Sequence, residues 1–218
     1  MAYAVGLVAT DGNLATGTRR VSLVSKDVEQ LQTFLRCVKL DATIRRARAG
    51  SGRFYYPVQC AHGRLYDWLV RIGLTPAKSA TLGVLDIPRE YFRDFVRGYI
   101  DGDGSITTYA DRSHTFKNPT YVYTRLYVSL VSASPRFLEW ICRAVRVLTG
   151  ATDSMTVRRA AGKRDLWQLR YAKADSLRLL RWMYYAPDVP SLTRKRVVAE
   201  KFLLAVPISR PLGPAGRW

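Results

Sequence analysis

Apolar and polar positions along this chain follow a series that runs twice in the same order. AVGLVATDGNL (Ala4 to Leu14) and FVRGYIDGDGSI (Phe95 to Ile106) each read as an apolar helix that ends at an Asp-Gly pair. A short way downstream of each stands the same strand-like pentapeptide, VSLVS, as Val21 to Ser25 and as Val128 to Ser132. After the first copy, Leu31, Phe34, Leu35 and Val38 keep helical spacing, and Asp27 with Gln30 reads as a capping box. After the second, Ser134 and Pro135 signal a helix start, and Phe137, Ile141, Ala144, Val145 and Leu148 form the apolar stripe.

Two strand candidates follow in each half. In the first they are Ala42 to Arg48 and Phe54 to Cys60, around the turn Ala49-Gly50-Ser51-Gly52; in the second, Ser154 to Arg159 and Leu166 to Tyr171, around Ala160 to Lys163. A further helix is expected at Leu65 to Ile72 and at Leu177 to Tyr184. An irregular, Pro-containing stretch with a lysine then closes each unit, LTPAKS and VPSLTRKR. The pattern predicts an α+β fold of two fused αββαββα repeats, 1–81 and 91–206, with a linker at 82–90 and an irregular tail at 207–218. In the first repeat the strand before VSLVS is poorly defined. The repeats are unequal: 10 residues separate Asp11 from Val21, but 25 separate Asp103 from Val128. The extra segment, TTYADRSHTFKNPTYVYTR, is rich in Tyr, Thr, Arg and Asn and suits the reading of an asymmetric ligand.

Charge narrows the partner. Among 218 residues, 35 are Lys or Arg against 17 Asp or Glu, a formal charge of +18, which points to an anionic partner and first of all to nucleic acid. Of the 35 basic residues 27 are arginine, the side chain suited to bidentate contacts with phosphate and guanine. Cys37, Cys60 and Cys142 show no Cys-x-x-Cys spacing, so buried, reduced thiols in a reducing intracellular compartment are expected rather than disulfides or zinc. With His62 and His114 the only histidines, a His-based nuclease or a multi-His metal site is disfavoured. The apolar start, Ala4 to Ala9, is short, lacks a basic flank and runs into Asp11, so it does not read as a secretory signal, and no window approaches the roughly 20 apolar residues of a membrane span.

The two Asp-Gly pairs carry the candidate chemistry. A calcium loop fails: Asp101, Asp103, Gly104 and Ile106 would occupy positions three, five, six and eight, but Tyr99 and Ala110 stand where the first and last carboxylates belong. Small residues four apart, Gly6 with Thr10 and Gly98 with Gly102, give each helix a face that permits close backbone approach. Packing those faces together brings Asp11 and Asp103 side by side at two helix C-termini, where the helix dipoles are also negative. Such a pair attracts a hard, oxygen-preferring cation, Mg²⁺ above all.

GLVATDG and GYIDGDG resemble the paired motifs of the LAGLIDADG homing endonucleases, and the order of elements is similar to the family's single-chain, two-repeat branch over roughly residues 2–205. RGYIDGDGSI matches in its flanks as well. The first motif is degenerate, with Ala9 where the second has Asp101. The resemblance implies a saddle of antiparallel sheets along the major groove of double-stranded DNA, the two motif helices at its centre, in a monomer with no membrane association. It puts the metal-binding acids at Asp11 and Asp103, with the adjoining Gly12 and Gly104, and implies Mg²⁺, with Mn²⁺ able to substitute and Ca²⁺ supporting binding without cleavage. It also implies that Lys78 and Lys195 border the metal site, and that Ser25 and Ser132 lie near the attacking water.

Candidate DNA-contacting residues are Arg19, Arg20, Arg45, Arg46, Arg48 and Arg53 in the first repeat, and Arg125, Arg158, Arg159, Lys163, Arg164 and Arg170 in the second. The activity so implied is metal-dependent cleavage of both strands at a long, non-palindromic site, leaving short 3′ overhangs. A LAGLIDADG-type binding protein without cleavage, an intron maturase or a transcription regulator, is the alternative. A ribosomal or RNA-coating protein would account for the charge but not for the duplication.

Overall fold

The structure, a computed structural model, describes residues 1–76, 80–113, 115–116, 118–159, 161–162 and 164–204. The first half runs α1 (Ala2–Asp11), β1 (Gly12–Ala15), β2 (Arg20–Ser25), α2 (Val28–Val38), β3 (Ala47–Arg48), β4 (Phe54–Cys60) and α3 (Gly63–Arg71). The second runs α4 (Phe92–Asp103), β5 (Ser105–Asp111), β6 (Tyr123–Ser132), α5 (Pro135–Thr149), β7 (Ser154–Arg158), β8 (Leu166–Tyr171) and α6 (Lys173–Met183), followed by α7 (Thr193–Leu203). Each half forms an antiparallel four-stranded sheet of the same topology, β1-β2-β4-β3 and β5-β6-β8-β7.

Helices α1 and α4 pack on each other through the small faces read from the sequence. A Cβ on Gly6 would fall 2.3 Å from the carbonyl oxygen of Phe95, and one on Gly102 would fall 1.9 Å from Thr10 Oγ1. No side chain fits at either place. A helical glycine costs roughly 0.5–1 kcal/mol against alanine, and the close contact of the two backbones offsets that cost. The glycines after each acid act differently: a Cβ on Gly12 would lie 2.6 Å from Val8 Cα and one on Gly104 2.6 Å from Ile100 Cα. They let each helix turn directly into a strand.

Alternation along the strands gives each sheet one covered and one open face. Val21, Leu23, Val58 and Cys60 are buried beneath the helices of the first half, and Leu126, Val128, Leu130, Leu169 and Tyr171 beneath those of the second. Phe92, Phe95, Tyr99, Phe137 and Trp140 form an aromatic cluster between α4 and α5. On the other side of α4 Arg97 is fully buried beside Tyr3 and Tyr185, and its guanidinium donates to the carbonyls of Met183 (2.5 Å) and Pro190 (2.7 Å) and pairs with Asp94, which fixes the α6–α7 connection.

Several expectations need correction. Asp27 does stand at the start of α2, but its side chain makes no cap and Gln30 turns away from it. Where an undefined segment was expected, β1 pairs with β2 from Gly12↔Leu23 to Ala15↔Arg20. The strand expected over 42–48 shrinks to Ala47–Arg48. VPSLTRKR is not irregular throughout, because α7 begins at Thr193. By contrast, α5 starts as the sequence indicates: Ser134 Oγ accepts from Phe137 N at 3.4 Å, and Pro135 holds the first turn. Among the described residues no helix is long and apolar enough to cross a membrane, and the three cysteines are free thiols, Cys60 buried and the others half-buried.

Candidate metal and nucleic-acid site

Because Thr10 and Gly102 are in contact, the next residues along their helices, Asp11 and Asp103, end α1 and α4 side by side. Asp11 is half-buried and Asp103 exposed. The fields of both carboxylates act on the same two neighbours. One is the Tyr99 phenol, which is raised above its ordinary pKa first by burial, then by Asp103 and, more weakly, by Asp11. The other is the Lys195 ammonium, lowered to about 8 by burial while Asp101, Asp11 and Asp103 pull it back up. Two carboxylates at two negative helix ends form a hard-oxygen donor set that fits a divalent cation such as Mg²⁺.

Lys195 is buried at 5% exposure. Its ammonium donates to the carbonyls of Asp101 (2.9 Å) and Gly104 (2.8 Å), and also to that of Ile100, so it neutralises the C-terminal end of α4. The Gly104 carbonyl is thus engaged by a positive charge. That disfavours Gly104 as a ligand for a second cation and leaves the carboxylates as the principal donors. Gly12 is buried at the matching helix end. Lys78 lies outside the described residues.

Gln30 is a neighbour that sequence reasoning assigned elsewhere. It is 2% exposed, donates Nε2 to Asp11 Oδ2 at 3.2 Å and accepts from Ser25 Oγ at 2.6 Å. Ser25 therefore reaches the acid through one amide. Ser132 repeats only half of this: its hydroxyl accepts from Ser134 N at 3.1 Å, as Ser25 Oγ accepts from Asp27 N at 3.0 Å, but aligning the VSLVS copies puts Phe137 in the place of Gln30.

Asp101, the residue that Ala9 replaces in the first motif, is buried between α1, α4 and the start of α7. Its Oδ2 accepts from Tyr3 OH and from Leu192 N, each at 2.8 Å, while its Oδ1 is buried without a partner. Burial pushes its carboxyl up to about 6 against the hydrogen bonds from Tyr3 and Leu192.

The candidate DNA contacts divide by face. Arg20 and Arg45 line a groove of about 570 Å³ with Asp41, Pro57 and Gln59 on the open side of the first sheet. Arg158 and Arg170 stand on the open side of the second, Arg170 with its guanidinium 3.6 Å from the Tyr127 ring centre and Tyr127 stacked in turn on Tyr109. Arg125 shares that face, paired with Asp111 at 2.7 Å.

Arg46 and Arg48 are a correction. They cluster on Phe54, with Arg46 at 3.6 Å and Arg48 at 5.9 Å from its ring centre, and Phe54 has the parity of buried Val58 and Cys60, so both point away from the open face. Arg19 is another, since it turns back onto the helical layer to pair with Asp67 of α3. Arg53 and Arg164 are exposed beside the two hairpin turns, and Arg159 pairs with Asp165 at 3.7 Å. Lys163 lies outside the described residues. Among the described residues the eight strands together hold five arginines and a single acid, Asp111.

Comparison with known proteins agrees with this architecture. A family model described as a LAGLIDADG-like domain matches residues 90–181. No curated protein matches the chain in sequence. Among solved structures, the homing endonuclease I-DmoI in complex with DNA and Ca is 13% identical with a TM-score of 0.57, over 91% of this chain and 96% of that one. I-WcaI bound to its DNA recognition sequence is 10% identical with a TM-score of 0.58, over 91% and 84%. Full-length DUF199/WhiA from Thermatoga maritima is 12% identical with a TM-score of 0.56, over 96% of this chain and 63% of that one. Residues 90–181 match the LAGLIDADG-like domain model, and the chain as a whole has the two-repeat LAGLIDADG fold.

Proposed function

We propose that this chain is a monomeric, site-specific DNA endonuclease that hydrolyses both strands of a long, non-palindromic duplex with divalent metal and leaves short 3′ overhangs. The observation that carries the reading is the pair Asp11 and Asp103, held at adjoining helix ends by the Gly6, Gly98 and Gly102 contacts between two sheets whose open faces carry arginine. Mg²⁺ or Mn²⁺ bound by the two carboxylates would supply Lewis acidity and a water of lowered pKa, whereas Ca²⁺ would support binding alone.

The protein's own groups do the rest. Arg20, Arg45, Arg158 and Arg170 engage phosphates and base edges on the open faces. Gln30 holds Asp11 in one orientation through its amide, so the carboxylate needs no reordering when the scissile phosphate arrives. Lys195 offsets the negative end of α4 where charge gathers on the phosphate, and Lys78 is its counterpart by sequence position. The proposed setting is an intracellular, reducing compartment, in keeping with three free thiols.

The likeness to WhiA keeps a binding protein without cleavage as the competing reading. Incubating the wild type, Asp11→Asn and Asp103→Asn with a randomised duplex pool in Mg²⁺, Mn²⁺ or Ca²⁺ decides between them. Recovery of one cut sequence, in Mg²⁺ or Mn²⁺ only and with wild type only, supports the nuclease. Retention of one sequence that is never nicked in Mg²⁺ makes the chain a binder.

A further inference from the structure

The turns that follow the two VSLVS strands each reach across to the other repeat. In the first, Asp27 Oδ2 accepts from the Arg194 guanidinium at 3.0 and 3.2 Å, and Glu29 takes the Thr193 backbone N–H at 3.2 Å to either oxygen together with the Thr193 hydroxyl. In the second, Ser134, aligned with Asp27, donates its hydroxyl to the carbonyl of Leu82 at 2.6 Å. Leu82 stands four positions after Lys78 in sequence, as Thr193 and Arg194 stand just before Lys195. The exchange is therefore reciprocal: the turn of the first repeat holds the start of α7, and the turn of the second holds Leu82, where the first repeat ends.

On the first side the contact has a chemical consequence. Thr193 is the first residue of α7 and Lys195 the third, so fixing the first turn fixes the point from which the lysine side chain departs. Glu29 lies in the first turn of α2 as well, so one carboxylate faces the positive ends of two helices. Its neighbour Gln30 is bonded to Asp11. A single helical turn thus touches the acid of one repeat and the helix that brings a lysine to the acid-bearing end of α4 in the other.

We propose that Glu29 is a positioning residue, which through Thr193 holds Lys195 against the end of α4 and so couples the two halves of the acid pair. The role extends the nuclease reading, because Lys195 serves catalysis only if the acid pair does. Aligning the VSLVS copies gives Arg136 at the corresponding place, so the device is confined to one half, and the two strands of the substrate meet chemically different sites.

The test is acylation of the DNA-free, metal-free full chain by acetic anhydride, read residue by residue by mass spectrometry with exposed Lys39 and Lys173 as internal standards. Glu29→Gln is expected to raise labelling at Lys195 roughly tenfold, the usual effect of losing one charge-assisted hydrogen bond, with the standards unchanged and the unfolding midpoint lowered by only about 3–6 °C. Thr193→Val, which keeps the N–H but loses the hydroxyl, should give a smaller rise, and Glu29→Asp should restore protection. Unchanged labelling at Lys195 in Glu29→Gln overturns the proposal. So does a rise accompanied by a newly reactive Cys60, the buried thiol, which would mark general loosening. On a duplex that the wild type cuts, Glu29→Gln should bind with the same Kd in Ca²⁺ and nick one strand more slowly in Mg²⁺. Labelling decides the proposal with no DNA present, so a chain that cuts no duplex would sink the nuclease reading alone.

Discussion

The carbonyl oxygen of Tyr3 occupies the space where a side chain on Gly98 would begin, since a Cβ there would fall 2.0 Å from it. Neither partner can yield, because one is helical backbone in α1 and the other helical backbone in α4. Gly98→Ala is therefore expected to destabilise the chain by about 3 kcal/mol or more, the upper range for overpacking, which in a protein of this size is roughly 6–12 °C in Tm. Gly17→Ala is the control, because nothing lies within 4 Å of a Cβ at that position. Calorimetry on the two variants checks the contrast.

That contact was legible in the sequence because spacing alone specifies it: small residues four apart on two apolar helices leave few other ways to pack. The duplicated order was legible for a similar reason, since VSLVS fixed the alignment. Side-chain partners brought together from distant segments were not. Gln30 looked like half of a capping box with Asp27, and only the fold brings it to Asp11 and sends Asp27 to Arg194. Arg46 and Arg48 looked like DNA contacts because charge carries no information about face, whereas strand register does. The start of α7 was obscured because Pro190 and the run of basic residues hide a helix whose first turn is stabilised by Glu29 from the other repeat.

Asp101 gives a pH-dependent prediction whose sign follows from its environment. Its carboxyl is raised from the ordinary 3.8 to about 6 chiefly by burial, so the folded chain prefers the protonated form. The stabilisation is complete below the ordinary value and is lost as pH climbs through about 6, a change of roughly 3 kcal/mol for a shift of about two units. Asp101→Asn can still accept from Tyr3 and Leu192 and carries no charge. Denaturant unfolding should find it more stable than wild type at pH 8, by up to about 3 kcal/mol, and equal to wild type at pH 4. Parallel curves at both pH values would contradict this account.

Gln30 yields a prediction about metal affinity. It is the buried link between Ser25 and Asp11, and loss of a hydrogen-bonding partner behind a metal ligand typically lowers affinity or activity by about 10- to 100-fold. Gln30→Leu, close in volume and without the amide, should weaken Mn²⁺ binding measured by calorimetry within that range. Phe137, its counterpart by alignment, is fully buried in the aromatic cluster, so Phe137→Leu should lower stability and leave Mn²⁺ affinity unchanged.

Asp111 is the single carboxylate among the strands of the described residues, and it holds Arg125 on the open face of the second sheet. Hydrogen bonds from Ser113 and Arg125 keep its carboxyl far below the usual carboxylate range, so it remains ionised at any working pH. A fixed negative charge on the face proposed to meet DNA repels phosphate, and it also occupies an arginine. Asp111→Asn removes the charge and releases Arg125. Each added phosphate contact steepens the fall of log K with log salt by about one, so the variant should bind duplex more tightly at low salt with a slope greater by about that amount. Arg170→Ala should change in the opposite direction, because its guanidinium, stacked on Tyr127, is already presented to that face. Titrations of both variants with a mixed-sequence duplex between low and physiological salt measure the two slopes. Slopes that match wild type in both variants would mean that DNA does not lie on this sheet.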